Sequence, residues 1–243
     1  MKVSQTNKPS QYIRGWVEFY KLKFKVTTDV LIPRPETELL VDEVLNFLGN
    51  EVTASSAYTL YPNPYTLIDI GTGAANIAIS IAKNAPNVKI IATDISEKAL
   101  KVAKQNAKLH GVEDRIEFIE SNLLSALNYT LNPSPYPLII VTNLPYIPSA
   151  RIPYLDPSVK DFEPHIALDG GEDGFGLYRE LFSQIKEKDI KFKLLLGEID
   201  YTHGELAVNE ALNFFPNAQV EVKTDLAHKQ RILKIKMNHP IID

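Results

Sequence analysis

The segment TLIDIGTGAAN, residues 66–76, joins a run of apolar residues to two closely spaced glycines. The apolar run has the length of a buried strand, and the residues that follow, 77–83, have the pattern of a helix. Gly71 and Gly73 permit a sharp turn between them and let a ligand approach the backbone, with the helix N–H groups behind it. The segment therefore predicts a strand–turn–helix unit that binds a nucleotide-like cofactor.

The rest of the chain continues this alternation of strands and helices. Strands are predicted at 66–70, 88–94, 115–120, 137–142, 192–198, 219–223 and 232–236, and helices at 77–83, 96–110, 177–186 and 204–214. Ser96 is the expected N-cap of its helix, and Gly111 closes that helix. The last two strands leave no room for a helix between them, so they should pair antiparallel. The pattern predicts an α/β fold with a doubly wound, Rossmann-like sheet and a final antiparallel strand.

The amino-terminal quarter has a different pattern. Residues 1–14 are polar and are expected to be loosely held, whereas 16–26 alternate apolar and Lys residues and predict a β-hairpin that turns near Tyr20 and Lys21. The prolines of LIPRPETE, 31–38, exclude a regular helix there, and the apolar positions that follow predict a helix that stops at Gly49. Residues 50–64 are the best candidate for a boundary or an insertion.

Composition excludes several kinds of protein. The 243 residues carry a net charge of −4, which gives no general attraction to phosphate backbones, and they contain no cysteine. No apolar run approaches the length of a membrane helix, and the amino terminus does not have the pattern of a signal peptide. We expect a cytoplasmic protein without a membrane partner. No metal site is expected, because no paired metal-ligand spacing occurs among His110, His165, His203, His228 and His239.

Five further side chains indicate which cofactor the glycine turn binds. Asn occupies position 76, where a dinucleotide fingerprint has a third Gly, and this counts against NAD. Asp94 ends the next strand and is placed for a ribose diol, as in nucleotide cofactors generally, S-adenosylmethionine included. Asp69 could hold a methionine ammonium group through its loop, directly or by water. Asn122 could accept from the adenine amine while Leu123 packs on the ring, although an Asn in a loop is more often a turn residue.

The tetrapeptide Asn143-Leu144-Pro145-Tyr146 follows the strand at 137–142. Asn143 brings both an acceptor and a donor, and Pro145 holds the preceding backbone extended with its carbonyls free to accept. Tyr146 offers a flat ring that can stack on a planar group. These groups suit a planar –NH2 group such as a side-chain amide or a base amine. The alternative is an ordinary strand end with a proline stop.

The combination of LIPRPETE, DIGTG, NLPYIP and EPHIALDGGEDG resembles the protein-(glutamine-N5) methyltransferases that modify peptide chain release factors. The likeness covers about 9–236. It implies S-adenosylmethionine as cofactor, a release factor as protein partner, and a seven-stranded methyltransferase fold. It also implies a methyltransferase domain at 31–243, preceded by a segment at 1–30 with the hairpin, and we expect a monomer. The reaction implied is methyl transfer to the side-chain amide nitrogen of the glutamine in a Gly-Gly-Gln motif.

The resemblance also implies roles for individual residues. The cofactor contacts that it implies are Gly71, Thr72, Gly73, Ala74, Ala75, Asp94 and Leu123, and the pocket that it implies for the glutamine amide is Asn143, Leu144, Pro145 and Tyr146. We add Asp69, Asn122 and Asn143 to the predicted cofactor-binding residues, and we predict that the pocket is catalytic. Asn143 Oδ1 and the Leu144 carbonyl are expected to accept the two N–H bonds of the substrate amide. Arg34 and Glu36 are expected to close over the site.

This chain departs from the pattern of the resembled family in three places. Leu144 replaces the first proline of the usual Asn-Pro-Pro-Tyr, which keeps the carbonyl acceptor but makes the loop less stiff. Asn122 stands where an Asp is common, and it can still accept a hydrogen bond, with less help from charge. The sequence starts at about the point where the family's amino-terminal helical domain should end. That domain helps to grip the substrate, so its lack bears on how a release factor would bind.

Other functions remain open from the residues alone. Asn-Leu-Pro-Tyr also occurs in a family that resembles rRNA adenine dimethyltransferases, so an adenine-N6 methyltransferase of rRNA or DNA is the main alternative. Lys and Arg side chains clustered around the Asn143 cleft would favour it. A third possibility is an inactive cofactor-binding protein that docks translation partners. The stretch 163–174 is equally compatible with a plain turn and with a wall of the substrate mouth.

Overall fold

The protein, represented by a computed structural model, is described over residues 7–54, 65–127 and 137–237, with the side chains of 51–54 left out. Its main sheet has seven strands in the order β5-β4-β3-β6-β7-β9-β8. Their bounds are β3 (Thr66–Ile70), β4 (Lys89–Asp94), β5 (Ile116–Glu120), β6 (Leu138–Thr142), β7 (Leu194–Glu198), β8 (Ala218–Thr224) and β9 (Gln230–Met237). The β3, β4, β5, β6 and β7 neighbours pair parallel, while β9 runs antiparallel between β7 and β8. The predicted doubly wound sheet with one antiparallel strand is confirmed.

Helices cover both faces of this sheet. They are α1 (Ser10–Arg14), α2 (Glu38–Ala54), α3 (Asn76–Asn84), α4 (Glu97–Leu109), α5 (Pro157–Lys160), α6 (Gly176–Glu187) and α7 (Gly204–Phe214). Successive strand residues point to opposite faces: Leu67 packs in the cluster with α2, α3 and α4, whereas Ile68 packs in the cluster with α6 and α7. Burial on both faces explains why the central strands are continuous apolar runs. No helix in the described ranges is long and apolar enough to span a membrane.

Short 3-10 helices complete the connections between these elements. They lie at Pro35–Thr37, Glu113–Arg115, Ser149–Tyr154 and His165–Ala167. The first of them begins inside LIPRPETE and leads directly into α2, so the prolines do exclude a regular helix there. Ser96 caps α4 as predicted, since its hydroxyl accepts from the Ala99 backbone N–H at 3.2 Å.

Two local predictions near the amino terminus are wrong. Residues 10–14 are not loose: they form α1, and buried Tyr12 donates its hydroxyl to the Val30 carbonyl at 2.6 Å. Gly49 does not end its helix, because its φ is not positive and α2 continues to Ala54. The predicted loop at 50–64 is therefore helical over its first part, and 55–64 lies outside the described residues. The division into 1–30 and 31–243 stays a prediction.

The predicted hairpin is confirmed as β1 (Trp16–Phe19) paired antiparallel with β2 (Leu22–Lys25). Tyr20 and Lys21 form its two-residue turn with φ of 49° and 59°, the left-handed conformations that suit the twist of a hairpin. Phe19 and Phe24 carry the hairpin into the same hydrophobic cluster as α3 and α4. The hairpin is thus packed on the main fold.

Asn106 of α4 connects the hairpin to the glycine loop. Its side chain is fully buried and accepts from the Lys25 backbone N–H at 2.7 Å. Its Nδ2 donates to the Lys25 carbonyl at 3.0 Å and to the Ala74 carbonyl at 2.9 Å. One side chain therefore satisfies backbone groups of the β2 strand and of the loop after β3.

Replacing Asn106 with Ala should lower the free energy of unfolding by about 3 kcal/mol, because three backbone groups, one buried and two partly buried, lose their hydrogen-bond partner together. Urea unfolding measures this loss. Gln105→Ala is the matched control, since Gln105 bonds only the exposed Lys25 ammonium group. A loss no larger for Asn106→Ala than for the control would contradict the bridging role.

Candidate active site

A cleft of about 720 Å³ opens at the carboxyl ends of β3, β4 and β6. In the sheet, β3 lies between β4 and β6, so the chain leaves β3 toward one side of the sheet and returns to the other. Open α/β sheets bind ligands at this point, where the strand order reverses. The volume lies within the range of about 300–1,000 Å³ that is typical of small-molecule sites.

The glycine loop forms one wall of the cleft through Gly71, Thr72, Gly73 and Ala74. Both glycines have positive φ, 69° and 54°, and no heavy atom lies within 4 Å of the place where a Cβ of Gly73 would be. The loop thus offers bare backbone to a ligand, as predicted. Ala75 is fully buried at the start of α3 and is not part of the lining, so the structure does not bring it to the cleft surface.

Asp94 also lines the cleft, at the end of β4. Its Oδ2 accepts from the Gly73 backbone N–H at 2.9 Å, and its Oδ1 accepts from that of Ser96 at 2.8 Å. Burial raises the pKa of this carboxyl above its usual range, and the backbone hydrogen bonds act in the opposite direction. Each carboxylate oxygen keeps a second lone pair, so Asp94 can still accept from a ligand hydroxyl.

Asp69 does not line the cleft, in contrast to the other predicted acid. Its side chain is fully buried, and its Oδ2 accepts from the Thr72 hydroxyl at 2.7 Å and from the Ala78 backbone N–H at 3.2 Å. The carboxyl lies beneath the loop, which supports the predicted route in which Asp69 acts on the ligand through the loop that it holds. A contact made directly or by water stays a prediction.

Asn122 and Leu123 line the cleft beyond β5, as the adenine prediction requires. Asn122 donates its Nδ2 to Glu180 Oε1 of α6 at 2.9 Å. A carboxylate can only accept, so the amide nitrogen must point toward Glu180 and Oδ1 stays available to a ligand. Leu123 has a φ of 53°, and this apolar residue is only 6% exposed.

The tetrapeptide after β6 enters the cleft with three of its four residues, Asn143, Leu144 and Pro145. Tyr146 is not part of the lining, and its hydroxyl instead donates to Glu198 Oε1 at 3.0 Å. Burial raises the pKa of Tyr146 well above its usual range, and the neighbouring Glu198 adds to this effect. The stacking role of the Tyr146 ring stays a prediction, whereas its hydroxyl clearly serves to hold the loop.

Glu198 is a buried carboxylate at the end of β7, the strand next to β6. Its Oε2 accepts from the Thr37 hydroxyl at 2.7 Å, and the Thr37 oxygen accepts from Asn143 Nδ2 at 3.1 Å. Burial raises the pKa of Glu198, while the hydrogen bonds from Thr37 and Tyr146 lower it. The LIPRPETE segment is therefore joined to the tetrapeptide through this acid.

The stretch 163–174 forms a wall of the cleft and is more than a plain turn, whereas its role in shaping the substrate mouth stays a prediction. Its lining residues are Pro164, His165, Ile166, Ala167, Asp169, Gly170 and Gly171. The Ile147 N–H donates to the Leu168 carbonyl at 3.1 Å, and the Gly170 N–H donates to the Ile147 carbonyl at 2.9 Å. A Cβ on Gly170 would lie 2.7 Å from the Pro145 carbonyl oxygen, so only glycine allows this approach.

Arg34 and Glu163 connect LIPRPETE to that wall. Arg34 Nη2 lies 2.5 Å from Oε1 of Glu163, whose side chain is fully buried. The other oxygen of Glu163 accepts from the Ile32 backbone N–H at 3.4 Å. Arg34 lines the cleft as predicted, but Glu36 is exposed and does not. That Glu36 closes over the site stays a prediction.

Sequence reasoning missed Thr37, Glu198, Glu163 and Glu180. Glu198 could have been found, because it is an acid at the end of a buried strand and the carboxyl ends of parallel strands meet at one edge of the sheet. No comparable signal marked Thr37, whose role depends on a contact with a residue far along the chain. These four residues position the predicted site residues that line the cleft.

The cleft fits S-adenosylmethionine by the chemistry of its donors and its open space. The bare backbone beside Gly73, the carboxylate of Asp94 and the free Oδ1 of Asn122 offer contacts for the polar parts of the cofactor. The apolar side chain of Leu123 offers a surface for a base.

Comparison with known proteins agrees with this fit. A family model described as a methyltransferase domain matches residues 63–161. The catalytic domain of human METTL16 in complex with a MAT2A 3′UTR hairpin superposes with a TM-score of 0.66 at 13% identity, over 92% of this chain and 78% of that chain. The amino-terminal domain of human METTL16 in complex with SAH gives 0.61 at 15% identity, over 90% and 77%. At such identities the structural likeness shows the fold alone. The chain is an S-adenosylmethionine-dependent methyltransferase.

Closer relatives narrow the class to a family. The release factor glutamine methyltransferase of Dictyoglomus turgidum is 34% identical over 93% of this chain and 75% of its own length. The release factor glutamine methyltransferase of Koribacter versatilis is 38% identical over 87% of this chain and 69% of its own length. The chain belongs to the release factor glutamine methyltransferase family, which confirms the resemblance seen in the motifs.

Stability should depend on pH through Asp69. Burial raises its pKa from 3.8 to about 7, so the folded protein takes up a proton that the unfolded chain does not when the pH falls from 8 to 6. The free energy of unfolding should therefore rise by about 1 kcal/mol over that interval and be lost again as the pH increases through 7.

Urea unfolding of the wild type and of Asp69→Asn at pH 6, 7 and 8 measures this contribution. The variant cannot titrate at position 69, so the difference between the two proteins isolates Asp69 from all other groups. Equal pH dependence in both proteins would show that the carboxyl does not titrate in this range.

Proposed function

We propose that this enzyme transfers a methyl group from S-adenosylmethionine to the side-chain amide nitrogen of the glutamine in the Gly-Gly-Gln motif of a peptide chain release factor. The observation that carries the proposal is the hydrogen bond from Asn143 Nδ2 to Thr37, which leaves Asn143 Oδ1 as an acceptor at the cleft. The names of the relatives support a release factor as the substrate. We place the reaction in the cytoplasm.

The residues proposed to hold the cofactor are Gly71, Thr72, Gly73, Ala74, Asp94, Asn122 and Leu123, with Asn143 at the methyl end. S-adenosylmethionine supplies an electrophilic methyl group. Asp94 would accept from ribose hydroxyls, and Asn122 Oδ1 would accept from the base amine. Asp69 and Ala75 support the loop from beneath.

The chemical problem is that an amide nitrogen is a poor nucleophile, since its lone pair is delocalised into the carbonyl. Asn143 Oδ1 and the Leu144 carbonyl accept its two N–H bonds and aim the nitrogen at the methyl group. As the N–C bond formed, the bond from the methyl group to sulfur would break and S-adenosylhomocysteine would leave. Positive charge would develop on the nitrogen until one of its N–H protons passed to water, so the two acceptors would bind the transition state more strongly than the ground state. Pro145 keeps the loop extended.

The alternative substrate, an adenine in rRNA or DNA, receives no support from the charges around the cleft. Among the described lining residues Arg34 is the one Lys or Arg, and Glu163 pairs with it. Asp29, Asp94, Asp169 and Glu180 lie in the same lining. Nucleic-acid sites collect Lys and Arg to neutralise phosphates, and this cleft has the opposite balance.

Mass spectrometry of a purified release factor after incubation with the enzyme and S-adenosylmethionine tests the proposal. We expect the mass of one added methyl group on the glutamine of the Gly-Gly-Gln peptide. An rRNA fragment incubated in parallel should remain unmodified. Methyl transfer to the RNA adenine, with none to the release factor, would overturn the proposal in favour of the alternative.

Asn143→Ala should reduce kcat on the order of 100-fold, because one of two acceptors that stabilise the transition state is removed. The affinity for S-adenosylhomocysteine, measured by calorimetry, should change little. Asn84→Ala is the matched control, since Asn84 lies at the far end of α3 from the cleft and bonds only the Ser80 carbonyl. Unchanged turnover in Asn143→Ala would exclude Asn143 from the reaction.

Asp94→Asn should weaken S-adenosylhomocysteine binding about 10- to 100-fold, because charge-assisted hydrogen bonds to the ribose become neutral ones. Calorimetry measures the affinity directly. Asp114→Asn, an exposed position in the short helix before β5, serves as the control. Equal affinities in the two variants would remove Asp94 from the cofactor site.

A further inference from the structure

We propose that Thr37 and Glu198 form a positioning relay that fixes which end of the Asn143 amide faces the substrate. Thr37 lines the cleft beside Asn143 and Glu198 does not, and we assign both of them a positioning role that acts through Asn143. The inference rests on the proposed function, in which Asn143 Oδ1 accepts from the substrate amide. It deepens that proposal, because it names the residues that orient the Asn143 acceptor and that make the site selective for glutamine.

The relay begins at Glu198, which is buried and only 2% exposed. Both carboxylate oxygens are occupied by hydroxyl donors: Oε2 by Thr37 at 2.7 Å and Oε1 by Tyr146 at 3.0 Å. An ionised carboxylate has no hydrogen to give, so each of these hydroxyls must donate to it. The direction of both bonds is therefore determined by chemistry.

Thr37 transmits this direction to Asn143. A hydroxyl carries one hydrogen, and in Thr37 that hydrogen is committed to Glu198. The Thr37 oxygen can then only accept, so the group 3.1 Å away on Asn143 must be the –NH2 end of the amide. The other end, Oδ1, is left for the cleft that Asn143 lines. The polarity of the relay thus runs from Asn143 through Thr37 to Glu198.

Packing alone cannot provide this orientation. The two ends of a primary amide are nearly equal in size, and rotation by 180° about χ2 exchanges them without changing the shape of the side chain. A hydrogen-bonding partner with a fixed polarity is required to distinguish them. Thr37 is the described partner of Asn143 that supplies it, and Glu198 fixes the polarity of Thr37.

The consequence concerns substrate selectivity. With Oδ1 outward, the site presents an acceptor to N–H donors and repels the oxygens of a carboxylate. A reversed amide would present N–H to the substrate –NH2 group, leaving two donors opposed, and would instead suit glutamate. Sites built to hydrogen-bond one polar group discriminate strongly against an analogue that cannot pair with them. The relay therefore favours glutamine over glutamate at this position.

Thr37→Val removes the hydroxyl while keeping the shape of the side chain. We expect kcat for a Gly-Gly-Gln peptide to fall at least about tenfold, with S-adenosylhomocysteine affinity unchanged. We also expect tighter inhibition by the matching Gly-Gly-Glu peptide relative to the Gly-Gly-Gln peptide, because the amide of Asn143 can now reverse. Thr37→Ser, which retains the donor and the acceptor, should restore most of the lost activity and the selectivity.

The matched control is Thr142→Val. Thr142 is as buried as Thr37, and its hydroxyl donates to the Ile70 carbonyl at 2.7 Å, outside the relay. This variant should lose stability without changing the ratio of the two peptide affinities. If Thr37→Val does not fold by circular dichroism, Thr37→Ala replaces it with the same expectation.

The outcomes separate the relay from the proposed function. Wild-type enzyme that methylates the glutamine peptide, together with a Thr37→Val enzyme of unchanged kcat and selectivity, would overturn the relay alone. A Thr37→Ser enzyme as impaired as Thr37→Val would do the same, because bulk rather than hydrogen bonding would then explain the loss. Wild-type enzyme that binds S-adenosylhomocysteine but does not methylate glutamine would overturn both.

Discussion

The parallel register of β4, β3, β6 and β7 is the constraint on which the whole site depends. Its hydrogen bonds align the carboxyl ends of these strands, pairing Ile70 with Thr93 and with Thr142, and Thr142 with Gly197. The residues that come next along each strand are therefore neighbours in space, although they are far apart in the chain. A shift of register by one residue would turn every strand side chain to the other face and separate the groups that the cleft unites.

Those parts of the fold and the site that depend on local chemistry could be predicted from the sequence. A few adjacent residues are enough to predict the turn at Gly71 and Gly73, the acid Asp94 at the end of β4, and the extended tetrapeptide. The contact between Thr37 and Glu198 could not, because it requires β7 to lie next to β6 and the LIPRPETE segment to fold over both. The prediction that the helix ends at Gly49 is wrong for a related reason. A glycine permits a helix to end, but the helix ends there only if the glycine takes a left-handed conformation in the folded chain.

Two buried carboxylates support the cleft, and their surroundings differ. Glu198 has a hydroxyl donor on each oxygen, whereas Asp69 has both of its described donors on Oδ2. Burial raises the pKa of both groups, because a charge is costly in a poorly solvated interior. Burial of each acid costs stability, and its hydrogen bonds hold a loop at the edge of the sheet. The loop residues that line the cleft are thus positioned by side chains outside the lining.

Asn106 makes the hairpin and the cofactor loop parts of one thermodynamic unit. The same Nδ2 bonds the Lys25 and Ala74 carbonyls, so β2 and the glycine loop share one buried hydrogen-bonding group. The amino-terminal hairpin is therefore one residue away from the backbone that lines the cleft, although the chain separates the two by about fifty residues.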